Sequence, residues 1–285
     1  MKNRFFYFMG IFFLLAAKLK QIINGYSPRS HKIKDLNDRY EYNSNVIKQW
    51  MKYLDHDDKN HLIENKNVIE IGPGSDLGIG ITLINLGVKN YYAIDTIRLA
   101  NPNKKFIKNY LKILNKNTPI KNNNVNYYKD RLNYLISKDF DLCSDMELKN
   151  VDYVFSQASM EHWTDVEKNI REISTKAKNG CIFVAEVDLM THSRWIRKVD
   201  PLNIYRFSDK LYKKIRYLGQ PNRLRPENYK KILNDNNWKE VKIIDLTTCN
   251  SNYYKEVIKY LNPNFKKYNM KSLSVIILAK YSQPN

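Results

Sequence analysis

Cysteine is scarce in this chain of 285 residues: Cys143, Cys181 and Cys249 are odd in number and far apart. That usage suits a reducing compartment and gives no zinc spacing. Acidic residues are outnumbered, 29 Asp and Glu against 48 Lys and Arg, which leaves a formal net charge of +19. Such an excess invites an anionic partner, either nucleic acid or a membrane surface. The cations are scattered through helical stretches instead of forming one block, and a chain heavy in Lys, Asn, Ile and Tyr together is what A+T-rich codons produce whatever the protein binds. There is no internal repeat. There is also no apolar run long enough to span a bilayer comfortably: residues 5–17, between Lys2 and Arg4 on one side and Lys18 and Lys20 on the other, would reach about 20 Å as a helix, against a hydrocarbon core of roughly 30 Å. Three readings of this run stand: a signal peptide with a poor cleavage site at Leu15-Ala16-Ala17, an interfacial anchor whose lysines reach headgroups, and a helix docked on its own domain or a partner. The interfacial anchor is preferred. Residues 1–25 are thus an amino-terminal appendage, and residues 26–285 read as one α/β domain.

What is present is a loop. Val68-Ile69-Glu70-Ile71 is a short β-branched run with an acid inside it, and Gly72-Pro73-Gly74-Ser75-Asp76-Leu77-Gly78 follows. The glycines let the backbone turn tightly and approach a ligand, as a nucleotide-binding βα turn requires. An apolar-periodic segment leads to a second strand, Tyr91-Tyr92-Ala93-Ile94, closed by Asp95. Strand, acid, loop, helix, strand and second acid come in the order of a βαβ unit. The dinucleotide fingerprint would place its third glycine at position 77, where the chain has Leu77, and this counts against NAD. The order acid, x, Gly, x, Gly, read as Glu70, Gly72 and Gly74, resembles motif I of the class I S-adenosylmethionine-dependent methyltransferases, in particular small-molecule enzymes of the type 11 kind. Asp76 departs from many relatives, which have glycine there.

The resemblance covers about residues 45–280. It implies a Rossmann-like α/β fold, a seven-stranded, mostly parallel sheet in the order 3-2-1-4-5-7-6 with helices on both faces, and S-adenosylmethionine as cofactor. It also implies roles for particular residues. Glu70, Gly72 and Gly74 would lie against the methionine part of the cofactor, and Asp95 would accept the ribose hydroxyls. A strand is expected over 125–130; Asp130 at its end would accept the adenine amino group, with Leu132 as an apolar wall, or else Asp130 caps the next helix. After a fourth strand over 151–156, the segment from Ser156 to His162 resembles the Ser-x-x-x-x-Glu-His stretch that runs past the transferring methyl. Ser156 and Gln157 would touch the cofactor there. His162 is a candidate base, since an ordinary imidazole titrates near neutral pH, or else Glu161 and His162 only orient the loop. His56 among Asp55, Asp57 and Asp58 reads as a solvated helix end, and no metal is expected.

Gly180 is expected to stop the helix over 166–177, before a fifth strand over 181–187. From 188 to 225 the pattern breaks, and a long irregular segment in a compact domain tends to carry function. In relatives such an insertion covers the substrate pocket. His192 is a second candidate base, and Arg194, Arg197, Arg206, Arg223 and Arg225 could grip a carboxylate or phosphate, or be ordinary surface arginines. A helix over 226–238 and two strands, 241–246 and 273–280, complete the pattern. The acceptor implied is a small molecule or a glycan or lipid precursor, handled in the cytoplasm, where S-adenosylmethionine is held, at the inner face of the membrane. The rivals are an RNA methyltransferase, against which stand the lack of an Asn-Pro-Pro-Tyr-type signature and of a catalytic cysteine motif, and a cofactor-binding scaffold without turnover.

Overall fold

The computed structural model of the protein describes residues 2–25, 35–54, 62–137 and 148–284; His56, its acidic neighbours and Cys143 lie outside the described residues. Its centre is β1 (Asn67–Ile71), in which Val68, Ile69, Glu70 and Ile71 are all buried. A strand buried on both faces reads as a continuous apolar run, which is why the sequence shows no alternation there. β1 pairs in parallel with β2 (Asn90–Asp95) on one side and β4 (Val151–Gln157) on the other. The register sets Ile71 beside both Ile94 and Ser156, so Gly72, Asp95 and Gln157 emerge at one edge of the sheet. β3 (Leu132–Ile136), β5 (Ala177–Asp188), β6 (Trp238–Thr248) and β7 (Ser272–Tyr281) complete the order β3-β2-β1-β4-β5-β7-β6, with β7 antiparallel to both neighbours. This is the class I methyltransferase fold expected from motif I.

Helices cover both faces. α2 (Leu36–Lys52), α3 (Gly78–Asn85), α4 (Lys104–Asn117) and α5 (Val125–Lys129) close one core with Val68, Tyr91 and Phe155. α6 (Val166–Lys176) and α9 (Pro226–Asp235) close the other with Ile69, Val154 and Phe183. The spacing Ile107, Tyr110, Leu111, Leu114 gives α4 one buried stripe, and Asn103 caps it by accepting from the Phe106 amide at 2.8 Å. A third core lies beyond the sheet, where α1 (Lys2–Asn24), α8 (Asp209–Ile215) and α10 (Ser251–Val257) surround Leu14, Leu202, Tyr205, Phe207 and Phe265, and α7 (Arg194–Arg197) lies against α1 through Trp195 and Phe13.

Four local expectations are corrected. Residues 125–129 form α5 and not a strand, because Asn124 caps them by accepting from the Asn126 amide; the third strand starts at Leu132, opposite Tyr91. Leu132 therefore sits at the start of β3, in the core, at the end of the strand away from the edge where Gly72, Asp95 and Gln157 emerge. α6 stops at Lys176, and Gly180, at φ +82°, lies inside β5, where the pairing with β4 shifts register between Val151 and Tyr153. The helix that begins at Pro226 ends at Asp235, because Trp238 opens β6 with its indole in the core.

The amino-terminal helix is longer than its apolar run. At 23 residues it reaches about 35 Å, and it is the helix among the described residues long and apolar enough to cross a membrane. Here it lies along the irregular segment. Leu14 enters the third core, Asn203 donates to the Phe6 carbonyl at 2.9 Å, Lys18 donates to the Lys214 carbonyl at 2.5 Å, and Gln21 exchanges hydrogen bonds with the Leu218 backbone. The opposite stripe, Phe5, Phe8, Phe12, Leu15, Leu19 and Ile22, is exposed along its whole length.

Candidate active site

The loop between β1 and α3 is held by its ends. Gly72 donates to the Ile94 carbonyl at 2.8 Å, and Asp76 accepts from the Gly78 amide at 2.9 Å and from Asn43 of α2 at 3.1 Å. Asp76 thus ties the loop to α3 and α2, which gives the departure from glycine a local reason. Gly72 and Gly74 both have φ near the left-handed region, +77° and +76°. At Gly72 a Cβ would stand 2.3 Å from the Ser159 hydroxyl, so the loop after β4 is packed directly on the loop after β1.

Four carboxylates gather at this edge. Glu70 is 1% exposed, and its Oε2 has no hydrogen-bond partner among the described residues. Burial, then the charges of Asp76 and Asp95, push its carboxyl well above the usual range. Burial also raises Asp95, while the amides of Thr96, Ile97 and Gly74 pull it back down; Thr96 donates to its Oδ1 at 2.7 Å. Glu186 of β5 accepts from Gln157 at 2.6 Å and from Gln49 of α2 at 2.9 Å. The Tyr42 phenol, on α2, is pushed up to about 12 by burial and then by Glu70, Glu186 and Asp76. Sequence reasoning missed Tyr42, Gln49, Ser159 and Glu186. Tyr42 stands one helical turn before Val46, so its place was readable only once the helix was known to begin at Leu36 and not near Val46.

An unpaired buried carboxylate is costly, and positive charge offsets that cost. A hollow with Glu70, Asp76, Asp95 and Glu186 around it, approached by a glycine loop, therefore suits a ligand with a cationic end and a diol. S-adenosylmethionine has both: an ammonium and sulfonium for the acids, and ribose hydroxyls for Asp95. The residues fit this cofactor.

Other expected contacts fall elsewhere. Ser156 is buried and its hydroxyl donates to the Ile71 carbonyl at 3.1 Å, so its side chain is used within the sheet. Gln157 stays at the edge, with its amide oxygen buried and unpartnered. Asp130 is exposed at the end of α5, before β3 begins, and so lies at the opposite end of the strand from the carboxyl edge. Ser137 follows β3 at the right edge, where its amide donates to the Asp95 carbonyl at 2.9 Å.

His162 and His192 do come together, rings edge to face at 4.8 Å. Burial, then His192, brings His162 down to about 4, so it is neutral at physiological pH, and its Nδ1 has no partner among the described residues. His192 lies 3.3 Å from Asp188, and Arg197 lies 2.6 Å from the same carboxylate. Glu161, His162 and His192 bring ligating atoms within 4.8 Å of one another, the spacing at which a cation could be shared. Burial, then the charge of Asp188, pushes the Glu161 carboxyl well above the usual range, and Arg197 stands on the Asp188 carboxylate that His192 faces.

Three of the remaining arginines are spent on the fold. Arg206 pairs with buried Asp200 through two hydrogen bonds, of 2.8 and 3.0 Å. Arg223 donates to the Ile204 and Phe207 carbonyls and pairs with Asp209; Arg225, fully buried, donates to the Asn269 and Ser272 carbonyls. Arg194 is exposed on α7. Within Asn222-Arg223-Leu224-Arg225 it is Asn222 that reaches the site: its amide donates to the Glu161 carbonyl at 2.7 Å and its side chain to the Met160 carbonyl at 2.9 Å.

No protein family's profile matches the chain, and no curated protein does. Solved structures do. A "putative S-adenosylmethionine dependent methyltransferase" from Listeria monocytogenes is 12% identical, over 84% of this chain and 100% of its own, with TM-score 0.48. A "SAM dependent methyltransferase" from Archaeoglobus fulgidus is 17% identical over 84% and 94%, with TM-score 0.46. A phosphoethanolamine N-methyltransferase 2 from Haemonchus contortus is 14% identical over 85% of this chain and about half of its own, 53%, with TM-score 0.46. At these identities the likeness is one of fold.

Proposed function

We propose that the protein is an S-adenosylmethionine-dependent methyltransferase acting on a small molecule or a lipid or glycan precursor, peripheral to the inner face of the cytoplasmic membrane. The observation that carries the cofactor assignment is Glu70: a buried carboxylate with an unpartnered oxygen, beside Asp95, at the carboxyl edge of the sheet. When bound, the cofactor supplies an electrophilic methyl carbon, which the acceptor's lone pair takes as the carbon–sulfur bond breaks and its electrons stay on sulfur. The chain's own residues bind, orient and exclude water. Glu70 and Asp95 hold the two ends of the cofactor; Gly72 and Ser159 press the two loops together over it. His162 presents a neutral nitrogen at the acceptor side, free to accept a proton from a hydroxyl or to hold a hydroxyl in line. Residues 188–225 roof that side, a reading supported by Gly219 and Gln220, which line one cavity with His162. Arg197, on Asp188, belongs to the same corner. Membrane association is supported by the exposed apolar stripe of α1.

Calorimetry tests the cofactor site. Asp95→Ala and Glu70→Gln should each weaken binding of S-adenosylhomocysteine and S-adenosylmethionine by about tenfold or more. Unchanged affinity in both would refute it. Gly72→Arg should abolish binding, with circular dichroism confirming that the sheet is retained.

A further inference from the structure

Beside His162 lies a cavity of about 440 Å³, lined by Lys18, Lys213 and Arg216, by Ile22 and Leu218, and by Gln220. Among the described residues no carboxylate lines it. Lys213 and Arg216 line it from α8 and its C-terminal end, and Lys18 is held in place by the Lys214 carbonyl. The Gln220 amide oxygen is buried and unpartnered, a vacant acceptor for a ligand donor. Ile22 belongs to the exposed stripe of α1, and Leu218, also exposed, is hydrogen-bonded to Gln21 of the same helix. The cavity is thus polar and cationic inside and continuous with an apolar face outside.

We propose that this cavity is the acceptor site and that it takes the phosphate-bearing headgroup of a membrane amphiphile, the cations meeting the phosphate, Gln220 a hydroxyl, and the hydrocarbon lying along Ile22 and Leu218 on the open face of α1. The proposal rests on the methyltransferase reading and names its substrate class. It assigns the 188–225 segment and α1 a joint task, since neither closes the cavity alone. It also accounts for His162. Burial and the neighbouring His192 make its imidazole a poor base, and a phosphate arriving in the cavity it lines raises its proton affinity at the moment an acceptor is present.

The test uses the purified full chain. Flotation with phosphatidylcholine vesicles, with and without one-fifth phosphatidic acid, should show about tenfold stronger binding to the acidic vesicles at physiological salt. Lys213→Glu/Arg216→Glu should lose that increment and keep its binding to neutral vesicles. The control Lys105→Glu/Lys108→Glu, on α4 and with the same change in net charge, should keep the increment. Equal loss in both pairs would overturn the proposal in favour of diffuse surface charge, and so would the absence of any preference. Calorimetry with glycerol phosphate identifies the source: binding in solution that disappears in Lys213→Glu/Arg216→Glu, without vesicle preference, keeps the phosphate site and makes its ligand a soluble ester. Cofactor affinity is measured on the same samples. A wild-type chain that binds no cofactor sinks the methyltransferase reading, whereas a chain that binds cofactor and no phosphate probe sinks only this one.

Discussion

Glu70 shows how a single side chain can weaken the fold and serve the site. Its carboxyl is raised in the folded, cofactor-free protein, so the native state binds that proton more tightly than the unfolded chain does. The resulting stability is complete below the ordinary carboxyl pKa and is lost as pH rises through the raised value, at about 1.4 kcal/mol per unit. Urea unfolding at pH 5 and pH 8 should therefore show the wild type losing ground to Glu70→Gln across the interval, with saturating cofactor restoring it. A gap that does not vary with pH would mean that the carboxylate is already paired. Arg206 is the opposite case. Its guanidinium and Asp200 are both out of solvent and satisfied, with Asn203 and Tyr253 completing the carboxylate's bonds. Arg206→Met should cost about 3–5 kcal/mol by leaving Asp200 buried with its charge uncompensated, and Arg206→Lys should recover little, because one ammonium cannot make the two parallel bonds. Denaturation measures this; cofactor affinity of the folded fraction should not move.

At the scale of elements, α1 is the piece whose role is divided. One stripe, through Gly10 and Leu14, is built into the third core; the other, six large apolar residues from Phe5 to Ile22, meets solvent. Trp195, stacked on Phe13 and 80% exposed, stands beside it. Each such side chain would gain about 1.5–3 kcal/mol on full burial, so several entering an interface give substantial binding. Removing residues 1–24 would also open the third core, so the cleaner variant is Phe8→Glu/Phe12→Glu, which leaves the docked stripe intact. It should move the protein from the membrane to the soluble fraction without changing its melting temperature. A wild-type protein already soluble in cell lysate would end the anchor reading.

The whole molecule carries +19, yet its crevice is lined by Glu70, Asp76, Asp95 and Glu186. Local field and net charge have opposite signs, and the two partners proposed follow that division. The cationic cofactor belongs to the acidic crevice, and the anionic acceptor to the basic cavity. A nucleic-acid partner would instead use the general excess of cations, which in sequence forms no continuous block.

Motif I, both acids and the strands β1, β2, β4 and β5 were legible in the sequence, because parallel strands buried on both faces must be apolar and the turn after β1 needs glycine; the order of the strands was implied by the resemblance. Residues 125–136 were not. Val125 to Asp130 alternate as a strand would, and only the cap at Asn124 and the pairing of Leu132 with Tyr91 decide for a helix followed by a strand. The arginines were illegible for a different reason: a guanidinium serves a ligand or a backbone carbonyl equally well, and which one it meets depends on where residues far away in the chain end their turns. The sequence by itself determined the first βαβ unit with its glycine loop and two acids, since these follow from local pattern and spacing, and the order of the sheet came through the resemblance that unit carries. Only the tertiary structure decided that α1, His162 and residues 213–220 share a cavity, because that meeting comes from packing between segments nearly two hundred residues apart.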